Sequence, residues 1–150
     1  MRKLTKIMSL MVTISILACL YTSVNAMSVI TSDIWVNAGS NAYSSQSCTQ
    51  STTRSSCYIR MSYIKFSHYP SGNIPSGYHV AARLYMVSNG GSYYSASNVA
   101  SFTATTSAGQ YNYSFLSGYG GAGQTFKLKT NSPLNDAYEA VFDWKSEPYS

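Results

Sequence analysis

The stretch Tyr78-His79-Val80-Ala81-Ala82-Arg83-Leu84-Tyr85-Met86-Val87 decides the fold class. Tyr78, Val80, Ala82, Leu84 and Met86 share one set of alternate positions; His79, Ala81, Arg83 and Tyr85 share the other. Side chains change face at every residue of a strand, so this period of two predicts a half-buried β-strand. Asn89-Gly90-Gly91-Ser92 follows, and its glycines suit the positive φ of a tight turn.

Outward from this stretch, six more segments read as strands. They are Val29 to Val36, Tyr58 to Phe66, Val99 to Thr105, Gln110 to Leu116, Thr125 to Lys129 and Tyr138 to Trp144. In Tyr58 to Phe66 the apolar phase passes from Ile59 and Met61 to Ile64 and Phe66, which predicts a bulge near Tyr63. The segments are separated by turn chemistry: Tyr69 to Gly77 with two prolines and two glycines, Ser107-Ala108-Gly109, Gly118 to Gly123, and Asn131 to Asp136. Helical periodicity is absent after residue 26. Seven short strands predict an all-β fold, a single small antiparallel β-sandwich in which most neighbouring strands pair as hairpins. A half-open β-barrel is the alternative.

Residues 1–26 read as a secretory signal. Arg2, Lys3 and Lys6 precede an apolar run from Ile7 to Leu20, and Val24-Asn25-Ala26 is a small-residue cleavage pattern. The run is shorter than the ~20 residues of a spanning helix. The rival reading is a lipoprotein signal, Ile16-Leu17-Ala18-Cys19, which would anchor the chain through Cys19. Cleavage after Ala26 makes 27–150 the single mature domain and the protein secreted. Three of the ten bases leave with the signal, so seven bases face five acids and the net charge falls from +5 to +2.

Only 10% of residues are charged, and 14 are Tyr. That composition excludes an acidic disordered tail and a coiled coil. The seven mature bases are scattered in sequence, which argues against nucleic acid as a partner.

Two mature cysteines remain, Cys48 and Cys57. An even pair in an exported chain predicts a disulfide. It would close a polar loop of ten residues and contribute about 2–3 kcal/mol.

The signal, the domain size, the Tyr/Ser/Asn-rich β-pattern and the terminal Phe142-Asp143-Trp144-Lys145-Ser146 resemble small exported β-rich proteins of Gram-positive bacteria. The resemblance implies a bacterial, exported, largely uncharacterised class and assigns no catalytic residues.

Candidate chemistry is sparse. Gly118-Tyr119-Gly120-Gly121-Ala122-Gly123 matches G-x-G-x-x-G, but the strand-like Thr125 to Lys129 follows where a dinucleotide motif needs a helix. The string reads as a flexible hairpin loop. His68 and His79 form an incomplete metal set, without a carboxylate near them in sequence. Glu139 and Asp143 share a strand face, about 13–14 Å apart, too far for an acid–base pair. Ion pairs with Lys127 and Lys129 on the preceding strand are the expected alternative. No cofactor, metal site or catalytic set is predicted, and the protein reads as a non-enzyme.

The remaining signal is tyrosine in small polar surroundings, a composition suited to adaptable recognition and to stacking on sugar rings. Tyr93, Tyr94 and Tyr119, in loops, are the candidate ligand-binding residues. The expected function is an exported domain that binds an envelope or extracellular ligand, a glycan or a peptide. The alternative is a secreted, bacteriocin-like or toxin-like antagonist.

Overall fold

A computed structural model describes residues 27–68, 74–106, 111–132 and 136–149. The expected signal with Cys19, residues of three expected turns (69–73, 107–109 and 133–135) and Gln110 of an expected strand lie outside the described residues.

Ten strands form: β1 Ile30–Val36, β2 Asn41–Tyr43, β3 Cys48–Thr49, β4 Ser56–Phe66, β5 Val80–Val87, β6 Tyr93–Ser95, β7 Ala100–Phe102, β8 Asn112–Ser114, β9 Thr125–Asn131 and β10 Tyr138–Lys145. The seven segments with alternation correspond to β1, β4, β5, β7, β8, β9 and β10. The added β2, β3 and β6 have two or three residues each, too short to show a period.

The strands make two antiparallel sheets packed as a sandwich. The first has the order β1-β10-β4-β8, and the second the order β2-β9-β5-β6. In the second sheet β3 also pairs with β9, and β7 with β5.

Hairpins do not dominate. Among the described strands, β5 and β6 are the one pair of sequence neighbours that bond to each other. The last strand, β10, is central in the first sheet, between β1 and β4. Its predecessor β9 is central in the second, so the expected β9–β10 pairing does not form. Alternation dictates which face of a strand is buried; it carries no information about the ladder partner.

The bulge does form. Tyr63 faces Val141 and Met61 faces Phe142, leaving Ser62 as the extra residue on β4. The Ser62 hydroxyl donates to the Val141 carbonyl at 3.2 Å. The bulge turns Tyr63 outward and lets Ile64 and Phe66 regain the core.

Large side chains from both sheets fill the space between them: Trp144, Phe142, Ile59 and Met61 from the first, Phe126, Leu84 and Leu128 from the second. Phe102 and Phe142 meet across the two sheets with ring centroids 6.1 Å apart. Their buried polar groups are bonded. The Trp144 indole N–H donates to Ser32 Oγ at 2.9 Å, and the Tyr138 and Thr130 hydroxyls lie 2.6 Å apart, linking β10 to β9. Burial pushes the Tyr138 phenol up to about 12, against the bond to Thr130, so it stays protonated.

The expected Cys48–Cys57 disulfide is not formed. Both are buried free thiols, Cys48 on β3 of the second sheet and Cys57 on β4 of the first. The Cys57 thiol donates to the Tyr113 carbonyl at 3.4 Å. Burial pushes it up to about 12 and raises Cys48 as well. The segment between them is held instead by backbone bonds from Arg54 N to Gly120 O (2.8 Å) and from Gln50 N to Gln124 O (2.9 Å).

Candidate functional site

Each sheet has one face in the core and one outside. Lys129 on β9 stands between Tyr43 on β2 and Arg83 on β5; Tyr85 and Lys127 are the next outward pair along the same two strands. Tyr93 on β6 faces Val87 and completes the outward set. The strands are individually unremarkable. Their register brings residues from positions 43, 83–85, 93 and 127–129 to one surface.

The aromatic side chains on this surface touch. Tyr43 and Tyr93 stack with centroids 4.4 Å apart and planes at 31°. Tyr43 and Tyr85 meet edge to face at 5.8 Å. The Lys129 ammonium lies 4.8 Å from the Tyr85 ring centre and 5.7 Å from that of Tyr43. It also donates to the Tyr85 hydroxyl at 3.4 Å. A cation over an aromatic face is held by the ring's quadrupole. Burial acts to raise the Tyr85 phenol, but the Ser95 hydrogen bond, Lys129 and the Arg83 charge outweigh it and bring it below the ordinary value. Beside this cluster runs an open groove of about 310 Å³, lined by Asn41, Ala81, Arg83, Val99 and Asn131 with Tyr85 and Lys129.

The charge distribution is uneven. Among the described residues, the outward positions of the second sheet hold Arg83, Lys127 and Lys129 and no acid. The outward face of the first sheet has three acids and three bases, with Asp143 opposite Arg60 and Glu139 opposite Lys65. Arg60 donates to Asp143 at 3.0 Å through Nε, and Thr31 Oγ1 donates to the same carboxylate at 2.7 Å. The expected pairing of Glu139 and Asp143 with Lys127 and Lys129 therefore does not occur; the partners are on β4. Trp35, 56% exposed, stands opposite Glu139 on this first face.

The three tyrosines singled out by sequence separate. Tyr93 is in the cluster, on a strand and not in a loop. Tyr94 faces Met86 and so occupies the opposite side of β6, exposed at 48%. Tyr119 is half-buried against the core.

The glycine loop is fixed in place. The Gln124 side-chain oxygen accepts from Gly120 N (2.8 Å) and Gly121 N (3.0 Å), and its amide donates to Gly118 O (3.2 Å). The backbone donors that would cradle a phosphate are thus used by the chain itself. Gly120 has φ +88°, and a Cβ there would collide with the Arg54 carbonyl and the Phe115 ring.

His68 does have a carboxylate partner, Asp136, at 2.6 Å, contributed from 68 residues away. Among the described residues no group of three or more His, Cys, Asp or Glu is placed to hold a metal ion. No family model, curated protein or solved structure matches the chain.

Proposed function

We propose that the chain is an exported, non-enzymatic β-domain that binds an acidic glycan of the cell envelope across the outer face of its second sheet. The observation that carries this reading is the acid-free surface of Tyr43, Tyr85 and Tyr93 around Lys129, with Arg83 and Lys127 beside it. Sugar rings present flat C–H faces that pack on tyrosine rings, and carboxylate or phosphate substituents pair with Lys and Arg. Tyrosine gives this contact area at low entropy cost, having few rotatable bonds. A rigid sheet holds the rings in place before the ligand arrives, which lowers the cost of binding.

The test is binding of purified exported protein to cell-wall polysaccharide over a salt series. Retention that weakens as salt rises, and falls at least tenfold in Lys129→Ala or Tyr93→Ala, supports the reading. Retention unchanged by both substitutions overturns it. Retention on wall peptide but not on polysaccharide makes the ligand a peptide.

A further inference from the structure

After β10 the chain turns inward, and Glu147 is only 4% exposed. A carboxylate removed from water is costly unless charge and hydrogen bonds replace the water. The Met27 backbone nitrogen donates to Glu147 Oε2 at 3.3 Å. Arg54 Nε lies 3.7 Å from Oε1, beyond hydrogen-bond range, and both of those atoms are buried without a hydrogen-bond partner. The other titratable group facing Glu147 is the Cys48 thiol, itself bonded to Ser146. Met27 is held from two further directions: Ser146 Oγ donates to its sulfur at 3.5 Å, and its side chain packs against the core. The carboxylate thus has one single-proton donor at one oxygen and an unsatisfied second oxygen.

Met27 is also the residue that follows Val24-Asn25-Ala26. Hydrolysis of the Ala26–Met27 peptide bond consumes one water: the Ala26 carbonyl carbon takes the hydroxyl and leaves as a carboxylic acid, and the Met27 nitrogen becomes a primary amine. That amine is protonated at neutral pH, its ordinary pKa being ~8. One N–H donor becomes three, and a neutral atom beside a buried carboxylate gains a full positive charge.

We infer that Glu147, flanked by Arg54, is a built receptor for the α-ammonium of the processed chain, and that cleavage between Ala26 and Met27 completes this ion pair. The uncleaved chain leaves Glu147 with Arg54 as its one charge partner among the described residues and a single N–H donor, so the fold gains its full stability only once the leader is gone. The inference rests on residues 27, 54 and 147 and is independent of the tyrosine face.

N-terminal sequencing of protein recovered from the culture medium should begin at Met27. That exported protein is then compared with a chain that retains Ala26, which moves the amine one residue out of the site. Retaining Ala26 should lower Tm by roughly 3–6 °C at neutral pH. Acylation of the Met27 amine as a function of pH should show it titrating above ~8. A folded-state value raised above the unfolded one means the advantage is complete below pH ~8 and disappears as pH rises through the folded value. Glu147→Gln should abolish the difference between the two chains; if that variant does not fold, the acylation profile of the unsubstituted protein decides. A mature terminus at another residue, equal Tm for the two chains, or an amine with ordinary titration overturns the inference.

Discussion

The two outer faces of the sandwich are built by the same alternation and solve different problems. On the first, acids and bases are interspersed, with Arg60 opposite Asp143 and Lys65 opposite Glu139. Its three acids and three bases cancel in number, with Arg60 and Asp143 in direct contact, and its exposed aromatics, Trp35 and Tyr63, stand on opposite sides of β10. On the second, three bases have no acid within the sheet, and the tyrosine rings gather around one of them. The small net charge of the described residues, seven Lys and Arg against five Asp and Glu, is therefore concentrated on one face. A surface whose charges cancel has little electrostatic attraction left for a ligand, whereas one with cations over aromatic faces and no acid beside them retains both charge and stacking area.

The largest expected effect tests whether the faces share one foundation. Phe142→Ala empties the region where β10 meets Phe102 of the other sheet, and should cost about 3–5 kcal/mol. Denaturant unfolding followed by tryptophan fluorescence, from Trp35 and Trp144 of the first sheet, and by far-ultraviolet dichroism should give coincident transitions at lower midpoint. Separate transitions for the two probes would mean the sheets unfold independently.

Next in size is a change confined to the first face. Asp143→Ala leaves Arg60 without its carboxylate and Thr31 without its acceptor, in a half-buried position. Solvent screening reduces the loss from that of a fully buried pair to about 1–3 kcal/mol. Lys129→Ala, on the second face, should cost under about 1 kcal/mol, because no acid depends on it. Equal destabilisation by the two would erase the distinction between a structural face and a recognition face.

Much of this molecule was legible in the order of its residues, and the limits are instructive. The inward faces of β4, β5, β9 and β10 follow from alternation alone. So does the bulge, because Tyr63 could not join Ile59 and Met61 while Ile64 and Phe66 were also inside. Ladder partners were not legible: Lys127 and Lys129 were recognisably outward, yet the sheet containing them was not. The candidate site was lost for the same reason, since Tyr43, Tyr85, Tyr93 and Lys129 become neighbours only through the β2-β9-β5-β6 order. The signal available was that Arg83, Tyr85, Lys127 and Lys129 all occupy outward phases of strands without acids. The cysteine pair, expected as a disulfide from its even count alone, stands as two buried thiols on β3 and β4, on facing sheets.

A smaller effect on stability, but a decisive one for function, separates Trp35 from Tyr93. Both are exposed aromatics near strand ends, and truncation of either should change stability by less than about 1 kcal/mol. If charge and stacking together make the site, Tyr93→Ala weakens glycan retention and Trp35→Ala does not. The reverse result would move the site to the groove that Trp35 forms with Lys65 and Glu139.

The smallest expected effect is the sharpest comparison, because it lies between adjacent residues. Tyr93 and Tyr94 have similar exposure, 41% and 48%, and belong to the same short strand. Pairing with β5 divides them: Tyr93 faces Val87 on the outward side, Tyr94 faces Met86 on the other. Tyr93 has the Tyr43 ring stacked on it, and that ring in turn neighbours Tyr85 and Lys129. Tyr94→Ala should therefore leave stability within about 0.5 kcal/mol and leave retention on polysaccharide unchanged, measured beside Tyr93→Ala at the same salt. If composition alone made the surface, any exposed tyrosine on β6 would serve and the two variants would lose equally. A loss confined to Tyr93 means that the sheet's register, by choosing which tyrosine joins the Lys129 cluster, makes the site.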